Sequence, residues 1–105
     1  MPNATVMTLT KLYFGLNIGN ERTITPNEFR CFLLREVAPR FPGFTVYEAT
    51  GWWRGEVESS RVVEVIWPSE STLDAAAIEH IREAYKVAFS QESVLRVDDA
   101  VGVSF

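Results

Sequence analysis

Lys11-Leu12-Tyr13-Phe14-Gly15-Leu16-Asn17-Ile18 decides the fold. Leu12, Phe14, Leu16 and Ile18 alternate with Lys11, Tyr13, Gly15 and Asn17. A period of two puts the first set on one face of a strand and the second on the other, so one face is apolar and buried. The rest of the chain lays out around it as two strand–helix–strand units, which makes it a central strand. It is predicted over residues 8–18, with Gly19-Asn20 as the turn that ends it. Residues 1–7 (MPNATVM) carry no pattern and read as a flexible lead-in. Residues 8–105 then form a single α+β domain.

Downstream, Thr25-Pro26-Asn27-Glu28 is a helix start. Thr25 can cap, Pro26 suits the first helical position and Glu28 completes a capping box. Phe29, Phe32, Leu33 and Val37 follow on one apolar face, and Pro39 stops the helix near 37–38. Residues 44–53 are aromatic and β-branched and read as strand two. The unusual Gly51-Trp52-Trp53-Arg54-Gly55 follows, and polar residues 56–60 read as a loop. Residues 61–67 (RVVEVIW) are strand three, apolar on both sides and therefore central. Helix two is expected over 73–90, with Ala77, Ile78, Ile81, Tyr85, Ala88 and Phe89 buried. Strand four starts at 94–97, bends at Asp98-Asp99 and continues over 101–105.

The element order is βαββαβ. Right-handed crossovers and neighbour pairing then give a ferredoxin-like sandwich. Its four-stranded antiparallel sheet has the order 4-1-3-2, counting these four strands, with two helices on one face. Its expected core holds Leu12, Phe14, Leu16, Phe29, Phe32, Leu33, Val63, Val65, Ile78, Ile81, Tyr85 and Phe89.

A chain of 105 residues with 47% hydrophobic and 23% charged residues suits one ordered globular domain. The net charge of −4 argues against nucleic acid as a partner. Cys31 is the sole cysteine, so no intrachain disulfide forms, and it reads as a partly buried thiol. No run of 18 apolar residues and no basic-then-apolar leader is present, so a cytoplasmic protein without a membrane span is expected. Asn3-Ala4-Thr5 fits a glycosylation sequon by chance on this reading. One histidine, His80, and one cysteine give no metal-ligand spacing, and Gly15 and Gly19 form no phosphate loop, so no metal or cofactor is expected.

Two helices cover one face of such a sheet and leave the other open. The open face would carry Lys11, Tyr13, Val62, Glu64 and Ile66, too apolar for plain solvent-facing surface. The first reading is self-association through this face into a homo-oligomer, with a dimer favoured. The second is a ligand pocket at that face, in the manner of dimeric α+β barrel proteins. Trp52, Trp53 and Arg54 could hold a small anionic or aromatic ligand, with Arg40 as a second cation.

Three resemblances bear on function. Lys11-Leu12-Tyr13-Phe14-Gly15 resembles the first sheet motif of RNA-recognition domains, but strand three lacks their glycine and carries Glu64. Tautomerases use an N-terminal proline as catalytic base, yet Pro2 lies ahead of strand one instead of opening it. LYFGL at 12–16, PRFPGFTV at 39–46, WRG at 53–55, AYKVAFSQESVLRV at 84–97 and VSF at 103–105 resemble an uncharacterised bacterial family of small domains of unknown function. That resemblance implies a shared fold and no reaction. Within its motif segments Arg40, Trp53, Arg54, Gln91 and Glu92 are the polar and aromatic members. Gln91-Glu92-Ser93 also reads as a plain helix stop.

Overall fold

A computed structural model describes residues 5–105, so the readings placed on Pro2 and on Asn3 lie outside the described residues. Six strands and two helices follow in order: β1 (Thr5–Gly15), β2 (Asn17–Ile18), β3 (Arg22–Thr23), α1 (Pro26–Phe32) with a π-helical turn (Leu33–Val37), β4 (Thr45–Trp53), β5 (Glu56–Trp67), α2 (Thr72–Phe89) and β6 (Leu95–Val103). The long strands form one antiparallel sheet in the order β4-β5-β1-β6. Strands one to four of the sequence reading are β1, β4, β5 and β6. The α+β fold with two helices and a four-stranded antiparallel sheet is as the sequence predicts.

Alternation places Leu12 and Phe14 of β1 and Val63 and Val65 of β5 beneath the helices. They share one core with Phe29 and Phe32 of α1 and Ile78, Ile81, Tyr85 and Phe89 of α2. Full burial of each such side chain contributes about 1.5–3 kcal/mol. Phe14, Phe32 and Tyr85 meet edge to face, with Phe14–Tyr85 centroids 4.5 Å apart and Phe32–Tyr85 centroids 5.0 Å apart. Ile24, Val37, Phe41 and Val94 join this core from turns and element ends. Leu33 is partly buried and packs against it from outside, and Ala88 is exposed. Cys31 is exposed, not partly buried, because it falls on the solvent side of α1.

Both helix starts follow from capping. Thr25 and Glu28 form the reciprocal capping box, and Ser71 Oγ accepts from the Asp74 N–H at 3.1 Å. The π-helical turn closes with the Ala38 N–H on the Leu33 carbonyl at 2.9 Å, so the helical run stops where Pro39 requires.

Four boundaries differ from expectation, each for a local reason. β1 begins at Thr5, earlier than residue 8, because β6 runs on to Val103 and pairs with it. It ends at Gly15, after which β2 and β3 form a small hairpin tied back by the Ile24 N–H on the Leu16 carbonyl at 2.7 Å. Residues 56–60 are strand, not loop. Arg54 and Gly55 take φ of 50° and 82°, so the chain reverses within two residues and β5 starts at Glu56. Finally, β6 passes straight through Asp98-Asp99. The Asp98 carboxylate accepts hydrogen bonds from Thr10 Oγ1 at 2.6 Å and Arg96 Nε at 3.1 Å, which ties it to the sheet. Thr10 Oγ1 in turn accepts from the Trp67 indole N–H at 2.8 Å.

Candidate functional site

The sheet narrows at one end. The β1–β5 ladder stops at Gly15↔Ser60, while β4 and β5 stay paired out to Trp53↔Glu56. They project as a two-stranded arm. The link from α2 to β6 lies beside it. α2 ends at Ser90, whose left-handed conformation (φ 52°) turns the chain and lets the Gln91 N–H reach the Lys86 carbonyl at 3.0 Å. An open cleft of about 740 Å³ lies between arm, β1 end and link. Its sides carry Tyr13 and Leu95, Trp52 and Trp53, and Gln91 and Glu92. Gly15, Gly51, Glu58 and Ser60 also line it.

Glycine makes the room. A Cβ on Gly15 would collide with Glu58 Oε1 and stand 3.4 Å from Gln91 Oε1, so both oxygens lie over the Gly15 backbone. The Tyr85 hydroxyl donates to the Gly15 carbonyl at 2.6 Å from the core side and pins that backbone. Burial first, and the negative charge of Glu58 second, push the Tyr85 hydroxyl above its ordinary range, so it stays a neutral donor. Gln91 Nε2 donates to the carbonyls of Asn17 (2.8 Å) and Phe89 (3.1 Å). Both amide hydrogens are then used, and the oxygen is left facing Gly15 as an acceptor. Among the described residues the Glu58 carboxylate has no hydrogen bond or ion pair within the protein. Trp52 and Trp53 are 69% and 71% exposed on opposite faces of the arm. The Arg54 guanidinium stacks on the Trp53 ring at 5.3 Å.

The site residues read from sequence divide accordingly. Tyr13, Trp52, Trp53, Gln91 and Glu92 come together at the cleft. Arg54 stands at the turn of the arm and Arg40 at the end of the π-helical turn, and neither lines the cleft. Arg40 instead holds the Glu36 carbonyl at 2.8 Å and its carboxylate at 3.5 Å. His80 is also drawn to that carboxylate, at 3.3 Å. Glu58 and Ser60 are absent from the sequence-derived site because residues 56–60 read as loop. Once β5 is extended, Gly51 pairs with Glu58, and the same face carries Gly15 and Tyr13.

The open sheet face meets the cleft along its edge. One row across it reads Tyr47, Val62, Tyr13, Leu95, and the next Thr45, Glu64, Lys11, Val97. Ile66 and Leu95 are 48% and 58% exposed there. Val62 is a correction to the expected contact set. It stands between two tyrosines in the ladder and is 1% exposed, so its neighbours shield it from a partner. Glu64 accepts from the Tyr47 hydroxyl at 2.6 Å and lies 3.9 Å from Lys11 Nζ. That carboxylate pushes the Tyr47 hydroxyl up to about 12. The Lys11 and Glu64 charges are thereby matched locally. Among the described residues no three metal-ligating side chains cluster, and no helix is long and apolar enough to cross a membrane.

The family model described as "Protein of unknown function (DUF3574)" matches residues 9–105. No curated protein matches the chain. Among solved structures, a phage SAM lyase in complex with S-methyl-5′-thioadenosine is similar at a TM-score of 0.61 and 18% identity, covering 94% of this chain and 90% of that one. The phage SAM lyase in its apo state is similar at a TM-score of 0.60 and 16% identity, covering 95% of this chain and 92% of that one. At these identities the likeness is one of fold.

Proposed function

The chain belongs to the DUF3574 family of unknown function, and within it we propose a small-molecule-binding protein whose site is the cleft beside Gly15. The observation that carries this reading is the convergence of Tyr13, Trp52, Trp53, Glu58 and Gln91 on about 740 Å³ that two glycines leave unfilled. That volume suits a nucleoside-sized molecule. Exposed aromatic faces favour one with a flat ring, since base-on-aromatic stacking is worth about 1–3 kcal/mol. The anionic half of the sequence expectation has less support, because neither Arg40 nor Arg54 lines the cleft. We read the fold as ferredoxin-like, with β2 and β3 as a hairpin inserted after the first strand.

S-methyl-5′-thioadenosine is bound by a chain of similar fold and is the first ligand to try. Titrating it while following tryptophan emission should give a saturable change with a dissociation constant at or below about 1 mM. Trp52→Leu and Trp53→Leu variants should weaken it. A flat titration, with no shift of the cleft residues' NMR signals, would remove the nucleoside reading.

A second reading has its own support. Exposed Ile66, Leu95, Tyr47 and Val97 beside a neutralised Lys11–Glu64 pair suit a second copy seated on the open sheet face. Such a copy would roof the cleft, as in dimeric α+β barrels. Native mass spectrometry should then show a dimer that Tyr13→Glu dissociates; a monomer at micromolar concentration would count against it. The exposed thiol of Cys31 supports a reducing, cytoplasmic location, which cell fractionation would test.

A further inference from the structure

We infer that Glu58 makes the cleft selective for a positively charged ligand group, of the sulfonium or quaternary ammonium class. This rests on the small-molecule reading above and adds the charge of the occupant. The Glu58 carboxylate lies over the Gly15 backbone, and no donor or cation among the described residues satisfies it. The other oxygen at that spot is Gln91 Oε1, an acceptor whose amide hydrogens are already used. Among the described residues no Lys, Arg or His lines the cleft, and Glu92 adds a second negative charge. Arg61, the basic residue nearest in β5, sits on the opposite face of the strand and pairs with Glu48 at 3.3 Å. A ligand group placed above Gly15 therefore meets two acceptors and a negative charge. Tyr13 and Trp52 also line the cleft, and aromatic rings attract a cation without needing a hydrogen bond from it, whereas the Trp53 ring already carries the Arg54 guanidinium at 5.3 Å. A sulfonium or quaternary ammonium has no N–H to donate and suits a cleft that combines aromatic side chains with a carboxylate. An anion at the same place would be repelled.

The test uses two nucleosides that differ by one methyl group and one charge. These are S-methyl-5′-thioadenosine and its S,S-dimethyl sulfonium counterpart, titrated calorimetrically into the full chain and into Glu58→Gln. The sulfonium should bind the unmodified chain about tenfold more tightly than the thioether. In Glu58→Gln that ratio should fall to about one. Equal affinities in the unmodified chain, or a preference that survives Glu58→Gln, would overturn the inference while leaving the nucleoside reading standing. If neither nucleoside binds, the nucleoside reading fails. The charge inference is then decided with choline and its neutral isostere 3,3-dimethylbutan-1-ol, read by the indole N–H signals of Trp52 and Trp53. Choline-selective shifts that vanish in Glu58→Gln support it, and equal or absent shifts overturn it.

Discussion

Gly15→Ala separates what this glycine does for folding from what it does for the cleft. Its φ is not in the left-handed region, so the backbone accepts alanine. The new Cβ would collide with Glu58 Oε1 and come within 3.4 Å of Gln91 Oε1. The colliding atom is the tip of an exposed, flexible side chain, so β1 need not move and Glu58 swings away. Alanine also restricts the unfolded chain, which stabilises the fold by about 0.4–1 kcal/mol. Displacing the Glu58 carboxylate offsets part of that. The net expectation is a fold stabilised by about 0.5 kcal/mol, or a midpoint raised by roughly 2–4 °C. Selectivity for the sulfonium should meanwhile fall to the Glu58→Gln level. Urea unfolding followed by tryptophan emission, with an unchanged m-value, measures the first quantity, and the paired titrations measure the second. Destabilisation beyond about 1 kcal/mol would refute the reasoning, because it would mean that Glu58 is locked over Gly15 by packing. Retained selectivity in a stable Gly15→Ala chain would show that the seated position of the carboxylate is not what chooses the ligand.

Thr10→Val keeps the shape of a fully buried side chain but removes the acceptor for the Trp67 indole N–H and the donor to Asp98. Urea unfolding should show a loss of about 2–3 kcal/mol, and a loss under about 0.5 kcal/mol would mean that another acceptor replaces Thr10. Acid should weaken the fold through carboxylates whose folded pKa values are depressed. Arg22 and the Thr25 backbone hold Glu28 near about 2, Arg82 and Arg96 lower Glu79, and at Asp98 the bonds from Thr10 and Arg96 overcome the opposing effect of burial. Such groups stabilise fully above the unfolded carboxylate range and lose that contribution as pH falls through their folded values. The denaturation midpoint should therefore drop between about pH 4 and pH 2, and less steeply in Glu28→Gln. Tyr85→Phe removes the bond to the Gly15 carbonyl and should cost about 0.5–1.5 kcal/mol by the same assay; no change would mean that this carbonyl needs no protein donor.

The legible part of the chain was the part with a one-sided environment. Leu12-x-Phe14-x-Leu16 alternates because only the helix face of β1 meets the core, and the period of two survives in the sequence. Thr25-Pro26-Asn27-Glu28 was legible because capping is local chemistry, complete within four residues. Residues 56–60 were not. Both faces of the arm meet solvent there, so no alternation is imposed, and the strand is held by its partner and by the Arg54-Gly55 turn. Asp98 misled for the opposite reason. An aspartate mid-strand usually marks a bend, but here Thr10, which lies far away in sequence, supplies the hydrogen bond that keeps it in the ladder.

The same physics explains why the site was harder to read than the fold. Its geometry comes from a mismatch of lengths: β1 stops at Gly15 while β5 reaches Glu56, so at this end of the sheet β4 and β5 continue as two strands where the middle has four. A mismatch leaves no periodic trace. It leaves glycines where side chains would fill the gap, and a carboxylate that no described residue pairs. Gly15, Gly51 and Glu58 are such residues, and none of them belongs to a catalytic or cofactor motif in sequence. They acquire meaning through register, because Gly51 faces Glu58 across one ladder while Gly15 pairs with the next residue on that same face, Ser60, across the other. With β5 extended back to Glu56, the register places a carboxylate between two glycines on the face that carries Tyr13.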